Sequence, residues 1–454
     1  MAGSIQRASA STGCTIVQSA TEHHPISVEQ LALWEDALSR ESGFINGFHP
    51  NGRFLTAHPD RCWTIESNGE LARSQIREAI DWHQQYRSEQ GETAFLGGLA
   101  GVLHYELGGI TVPGFQSRRP DADESRGWIG AYSWALDISV DRAPTLTIQP
   151  FCPEPTRRWL MSLLERGPQA ASPSPLALSA PFQADESGDQ YQQQVGHLLD
   201  WIHAGDCYQA NLSRRHSAHF TGSPYDGFRR LMGAIPVPFG AYIDTGRRQV
   251  LSISPERFLR IDGSQVESKP IKGTRPRGAT PGDDQALAEA LRTHPKDRAE
   301  NLMIVDLIRN DLSRFCEPHS VRVPRLFDVE SYENVHQLVS TVTGTLREDV
   351  TLLDALLSAF PGGSITGAPK RRAMEIIDEL EDHRRGPYCG SVFFWNLSDH
   401  LDSNIAIRTL ETESSSGEIR CWGGCGIVAD SDPAEELAEA ETKVRRLMET
   451  LENG

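Results

Sequence analysis

Residues 239–268 constrain the fold most. "FGAYIDTGRRQVLSIS" (239–254) and "RFLRIDGSQVES" (257–268) each place two apolar, β-rich runs about a short polar turn. Asp262-Gly263 is a hairpin signal, because the favoured two-residue turn needs positive φ at its centre. Two hairpins in succession require an antiparallel sheet. Helical spacing lies elsewhere: Tyr191, Val195, Leu198, Leu199 and Ile202 before a Gly205 stop, then roughly 283–293, 297–314 and 433–451. Strands grouped apart from helices predict an α+β protein with packed antiparallel sheets flanked by helices, not a Rossmann alternation.

Upstream, "FLGGLAGVLHYELG" (95–108) reads as a strand whose double glycine allows close backbone approach. Residues 167–187, with Pro168, Pro173, Pro175 and Pro181 among Ala and Ser, read as a linker or long surface loop. That divides the 454-residue chain into an N-terminal region (1–166) and a second domain (188–454). The first fourteen residues are polar and carry no secretory block, and no apolar run nears the ~18 residues of a membrane span. A net charge of −18 opposes a nucleic-acid partner. Eight cysteines without a CxxC pair fit reduced thiols, hence a cytoplasmic protein with neither zinc nor redox pair.

Several segments can carry chemistry. "PGGSITGAPKRR" (361–372) resembles a phosphate loop but has Ala368 and Pro369 where that loop needs Lys and Ser or Thr. Its Gly-rich backbone opening a helix can still bind an anion. "WGGCGIVADSDP" (422–433) is either a plain tight turn or a nest of N–H groups for a carboxylate. Glu436, Glu439 and Lys443 share one face of the last helix, which by itself describes solvated ion-pair partners. Glu300 opens the helix "ENLMIVDLIRNDL", apolar enough to be largely buried; a carboxylate there needs a partner, and two such groups with water suit Mg²⁺. Lys272, in "ESKPIKGTRPRG" (267–278), reads alone as a solvated loop lysine.

Together these blocks resemble the chorismate-utilising enzymes, whose fold is that of anthranilate synthase component I. "GDCYQANLS", "SPERFLRI", "PIKGTRPRG", "ENLMIVDLIRNDL", "VHQLVSTVTG", "FPGGSITGAPKRRAMEIIDELE", "IAIRTL" and "GGCGIVADSDPAEELAEAETK" run in family order over about 250 residues. The resemblance implies Glu256 as general acid for the departing ring hydroxyl and His336 near that hydroxyl. It implies Glu300 and Glu439 as Mg²⁺ ligands, with Glu436 supporting them. It gives the cradle for chorismate's carboxylates to Arg408, Tyr388, Lys443, Thr366 and the backbone of Gly424, Cys425 and Gly426. Gly273 and Thr274 would form the turn beneath the ring. Cys425 departs from the glycine or alanine frequent in the family.

Two positions resemble particular branches. Water-adding members carry a lysine base where this chain has Gln209, whose amide takes up no proton near neutral pH. Anthranilate synthases carry alanine where Lys272 stands, whereas aminodeoxychorismate synthases carry lysine. The resemblance therefore implies amination of chorismate at ring carbon 4, with Lys272 as a transient nucleophile. No glutaminase-type Cys-His-Glu set is present, so ammonia would come from a separate glutamine amidotransferase subunit. Anthranilate synthase component I, and a non-catalytic chorismate-binding subunit, stay open as alternatives.

Overall fold

The two hairpins form where the sequence places them. Phe239–Asp244 pairs with Arg248–Ser254, and Arg257–Asp262 with Gln265–Ser268, the latter turning at Gly263 with φ +56°. They belong to different sheets. The chain leaves one sheet at Ser254 and enters the other at Arg257, so Pro255 and Glu256 lie at the crossing. The computed structural model describes residues 20–88, 93–119, 125–169, 174–332 and 335–453.

Among the described residues the sheets hold 13 and 10 strands, and their paired strands are antiparallel. Both sheets run through the N- and C-terminal regions of the chain. Ile45–His49 pairs with Phe239–Asp244 in the first, and Gly98–Leu103 with Ser391–Asn396 in the second. A side chain at Gly98 would meet the Trp395 carbonyl at 2.2 Å, so the close approach read from the double glycine is real. The sheets face each other through Ile45, Phe54 and Ile243 on one side and Val102, Trp128 and Phe394 on the other. Further apolar clusters lie under the outer helices, including Leu353 and Leu356 on one flank and Val444 and Leu447 on the other.

The helix Gly188–Ala204 begins at a Ser187/Gln190 capping box and ends at Gly205 in the left-handed region. Part of the stretch expected as a linker is built into a sheet: Ala177–Leu178 and Gln183–Ala184 both pair with the long strand Gln209–Thr221. Pro173 lies outside the described residues. The helix expected to open at Glu300 starts at Pro295 instead, a residue whose fixed φ suits a first turn. It is less buried than its composition suggested, since Ile304 and Val305 pack inward while Leu302 is 47% exposed. Among the described residues, no helix is long and apolar enough to cross a membrane.

Candidate active site

A cavity of about 540 Å³ opens where the sheet crossing, the strand Ile271–Pro276, the helix Pro295–Ser313 and the C-terminal helix Pro433–Glu452 converge. Lys272 enters it from an edge strand interrupted by a bulge: Lys272 pairs with Leu338 and Thr274 with Gln337, leaving Gly273 as the extra residue. Gly273 has φ +70°, and a Cβ there would lie 2.8 Å from the Asp297 carboxyl carbon and from Leu291 Cδ1. Only glycine fits, and the bulge re-aims its neighbours. The Lys272 ammonium lies 3.8 Å from Glu300 Oε2.

Glu256 is buried at the sheet crossing and accepts a hydrogen bond from Ser364 Oγ at 3.1 Å. Burial pushes its carboxyl up to about 7, against the opposing pull of the Lys272 charge and the Ser364 hydroxyl. A carboxylic acid that keeps its proton near neutrality, beside an amine, is a competent proton donor.

The C-terminal helix brings Glu436, Glu439 and Lys443 to the same cavity. One turn of helix sets Lys443 Nζ 2.7 Å from Glu439 Oε1, and the ammonium also donates to the Gly424 carbonyl at 3.0 Å. Burial raises the Glu439 carboxyl, but the Lys443 charge and hydrogen bond outweigh it and hold the group below its usual range. Glu436 accepts from Ser431 Oγ at 2.6 Å; burial nevertheless raises its carboxyl, and the Glu439 charge adds to that. Ligand atoms of Cys425, Glu436 and Glu439 lie within 4.8 Å of one another. Glu300 lines the same cavity but is not part of that group; its carboxylate stands against Lys272. Gly424 and Gly426 line the cavity together with Tyr388, which stacks on Trp422 with ring planes 6° apart. Arg408 projects into the cavity from a residue at φ +51°.

Two expected residues are placed differently, and a third, Cys425, expected through its backbone, is not itself a lining residue. His336 is buried on the other face of its strand, Nε2 bonded to Asp284 and Nδ1 to Ser331, so both nitrogens are used away from the cavity. Strand alternation explains this: its neighbour Gln337 lines the cavity instead. Thr366 is fully buried and donates its hydroxyl to the Gly362 carbonyl, which leaves it out of the cavity wall. The Cys425 side chain turns behind the Gly-rich strand, with Sγ 3.5 Å from the Glu436 carbonyl oxygen, and burial pushes its thiol up strongly.

Other lining residues carried no sequence signal. Asn211, Ser364, Gln337, Lys296 and Asp297 all contribute. Ser364 sits within the Gly-rich segment already noted, and Gln337 follows His336 on the opposite face of its strand. Lys296 and Asp297, in the first turn of a helix, look like ordinary solvated charges.

The chorismate binding enzyme model matches residues 29–449. The aminodeoxychorismate synthase component 1 of Klebsiella aerogenes is 39% identical over 434 residues, covering 92% of this chain and 94% of its own. Its counterpart from Escherichia coli (strain K12) is 41% identical over 378 residues, covering 83% and 82%. The crystal structure of anthranilate synthase component I from Streptococcus pneumoniae TIGR4 superposes with TM-score 0.72 at 25% identity, over 98% of this chain and 95% of that one. A match across almost the whole length, on a fold shared from end to end, makes this chain a member of the chorismate binding enzyme family.

Proposed function

We propose that this chain aminates chorismate to 4-amino-4-deoxychorismate, using ammonia delivered by a glutamine amidotransferase subunit. The observation that carries the reading is Lys272, aimed into the cavity between an acid and an acceptor. The relatives named aminodeoxychorismate synthase component 1 support it.

Replacing a ring hydroxyl by an amino group with retention takes two displacements. In the first, Lys272 Nζ attacks ring carbon 2 as the free amine. The ring double bonds shift, the carbon 4–oxygen bond breaks, and Glu256 gives its proton to the departing hydroxyl. Glu300, 3.8 Å away, is the nearest carboxylate to take the proton that the ammonium sheds. In the second, ammonia bonds to carbon 4, the double bonds shift back and the carbon 2–nitrogen bond breaks, restoring Lys272. Arg408 and the backbone at Gly424 and Gly426, which line the cavity, would hold carboxylates of the substrate.

The carboxylates of Glu436 and Glu439, which come together beside Cys425, would hold Mg²⁺, which prefers hard oxygen ligands and keeps several waters; Glu300 lines the same cavity but stands against Lys272, outside that group. Bound there, Mg²⁺ would supply Lewis-acid stabilisation of negative charge on the substrate. The chain's own residues orient and protonate.

Product identity with chorismate, Mg²⁺ and ammonium tests the reading. Wild type is expected to give aminodeoxychorismate, and Lys272→Ala to lose ~10²–10⁴-fold of that rate, the range for a positioned catalytic group. Anthranilate from wild type, or wild-type rates in the variant, would overturn it.

A further inference from the structure

We infer that Lys296 is a substrate-binding cation: it engages one carboxylate of the dianion that the cavity is proposed to hold. The inference rests on the reading above and assigns a residue to that same site.

Four cationic side chains line the cavity, Lys272, Lys296, Arg408 and Lys443. Two are held by acids of the chain: Lys272 by Glu300 at 3.8 Å and Lys443 by Glu439 at 2.7 Å. The remaining lining acids are also accounted for. Asp297 pairs with Arg275 at 2.9 Å, and its Oδ2 lies 3.1 Å from His294 Nδ1. Glu436 bonds Ser431, and Glu256 bonds Ser364. Among the described residues, Lys296 and Arg408 have no carboxylate within the 4.0 Å of an ion pair, although the Lys296 charge is felt by Glu439, itself paired with Lys443.

A chain of net charge −18 repels anions at long range, so cations kept free at one cavity are a local exception that favours a negative ligand. There are two such cations, and chorismate carries two carboxylates. They stand on different elements. Arg408 follows the strand His400–Asn404, and Lys296 is in the first turn of the helix Pro295–Ser313. A ligand spanning them is therefore fixed in orientation as well as bound. Lys296 is exposed and unbonded, so its long side chain can close on the ligand without breaking an existing contact. On its own helix Lys296 has Glu300 at i+4, but that carboxylate lies against Lys272, 3.8 Å away.

The test uses Lys296→Gln, Lys296→Arg and Lys296→Glu in the full chain with saturating Mg²⁺ and ammonium. For Lys296→Gln, the KM for chorismate should rise about fivefold, the scale of one partly solvated ion pair, with kcat within twofold. Lys296→Arg should restore it, and Lys296→Glu should weaken it further. Calorimetry of chorismate binding should follow KM, while the Mg²⁺ titration and the melting temperature stay unchanged. Wild-type KM in Lys296→Gln, or a change in Mg²⁺ affinity instead of chorismate affinity, would overturn the inference. A wild-type enzyme that makes no aminodeoxychorismate would instead overturn the proposed reaction, a separate outcome.

Discussion

At the scale of single residues, Glu256 shows how burial sets chemistry. Folded, its carboxyl keeps a proton to about pH 7, against an ordinary value of 4.5. A general acid must hold that proton, so kcat/KM should fall as pH rises through about 7, and Glu256→Gln should lose ~10²–10⁴-fold of activity. Stability carries the same signature. Between about pH 4.5 and 7 the folded state binds more protons at this site than the unfolded chain, so stability drops as pH rises across that window. Denaturant titrations at several pH values should show that slope in wild type and a flatter one in Glu256→Gln. Glu439 behaves oppositely, held ionised by Lys443. Glu439→Gln should remove most Mg²⁺-dependent activity with the circular dichroism spectrum unchanged, and an undiminished Mg²⁺ response would exclude it as a ligand. Residue identity alone singled out Glu256 and Glu439, which line the cavity, but it could not distinguish His336 from Gln337, because one position along a strand reverses the face.

At the scale of elements, the bulge at Gly273 decides where Lys272 points. Gly273→Ala would place a methyl against Asp297 and Leu291 at a backbone angle that L-residues disfavour by ~1–2 kcal/mol. The variant should lose at least that stability in urea titration and lose kcat as well, since the lysine is re-aimed; an unchanged kcat would detach the bulge from catalysis. A second element carries more energy. Glu381 and Arg385, i and i+4 beyond the helix Lys370–Leu380, form a buried pair at 2.6 Å. Glu381 also accepts from the Ser213 backbone and hydroxyl, and Arg385 donates to the carbonyls of Ile365 and Asn211, two residues of the cavity wall. Removing one partner strands a buried charge, at a cost of ~3–5 kcal/mol. Glu381→Ala should therefore lower the urea midpoint far more than any surface ion-pair variant, and a shift under 1 kcal/mol would show that the pair is not held as described.

At the scale of the whole molecule, both sheets are built from distant parts of the chain. A fragment of residues 188–454 would expose the edges of Phe239–Asp244 and Ser391–Asn396, which pair with N-terminal strands in the intact protein. Unpaired edges template aggregation, so the fragment should aggregate or stay unfolded alone and recover when co-expressed with residues 1–187; a monomeric, folded fragment would show the second region to be self-sufficient. The sequence by itself determined the hairpins, the principal helices, the α+β class and most of the charged residues that line the cavity. Each of those follows from short-range physics: turn φ angles, side-chain periodicity and ordered local motifs. Only the tertiary structure decided that the two adjacent hairpins go to different sheets, that the Pro-rich stretch joins an edge strand, and that Glu256 is buried enough to keep its proton. It alone showed that, among the described residues, Lys296 and Arg408 have no carboxylate at ion-pair distance. Burial and pairing are sums over residues far apart in the chain, and no local pattern carries them.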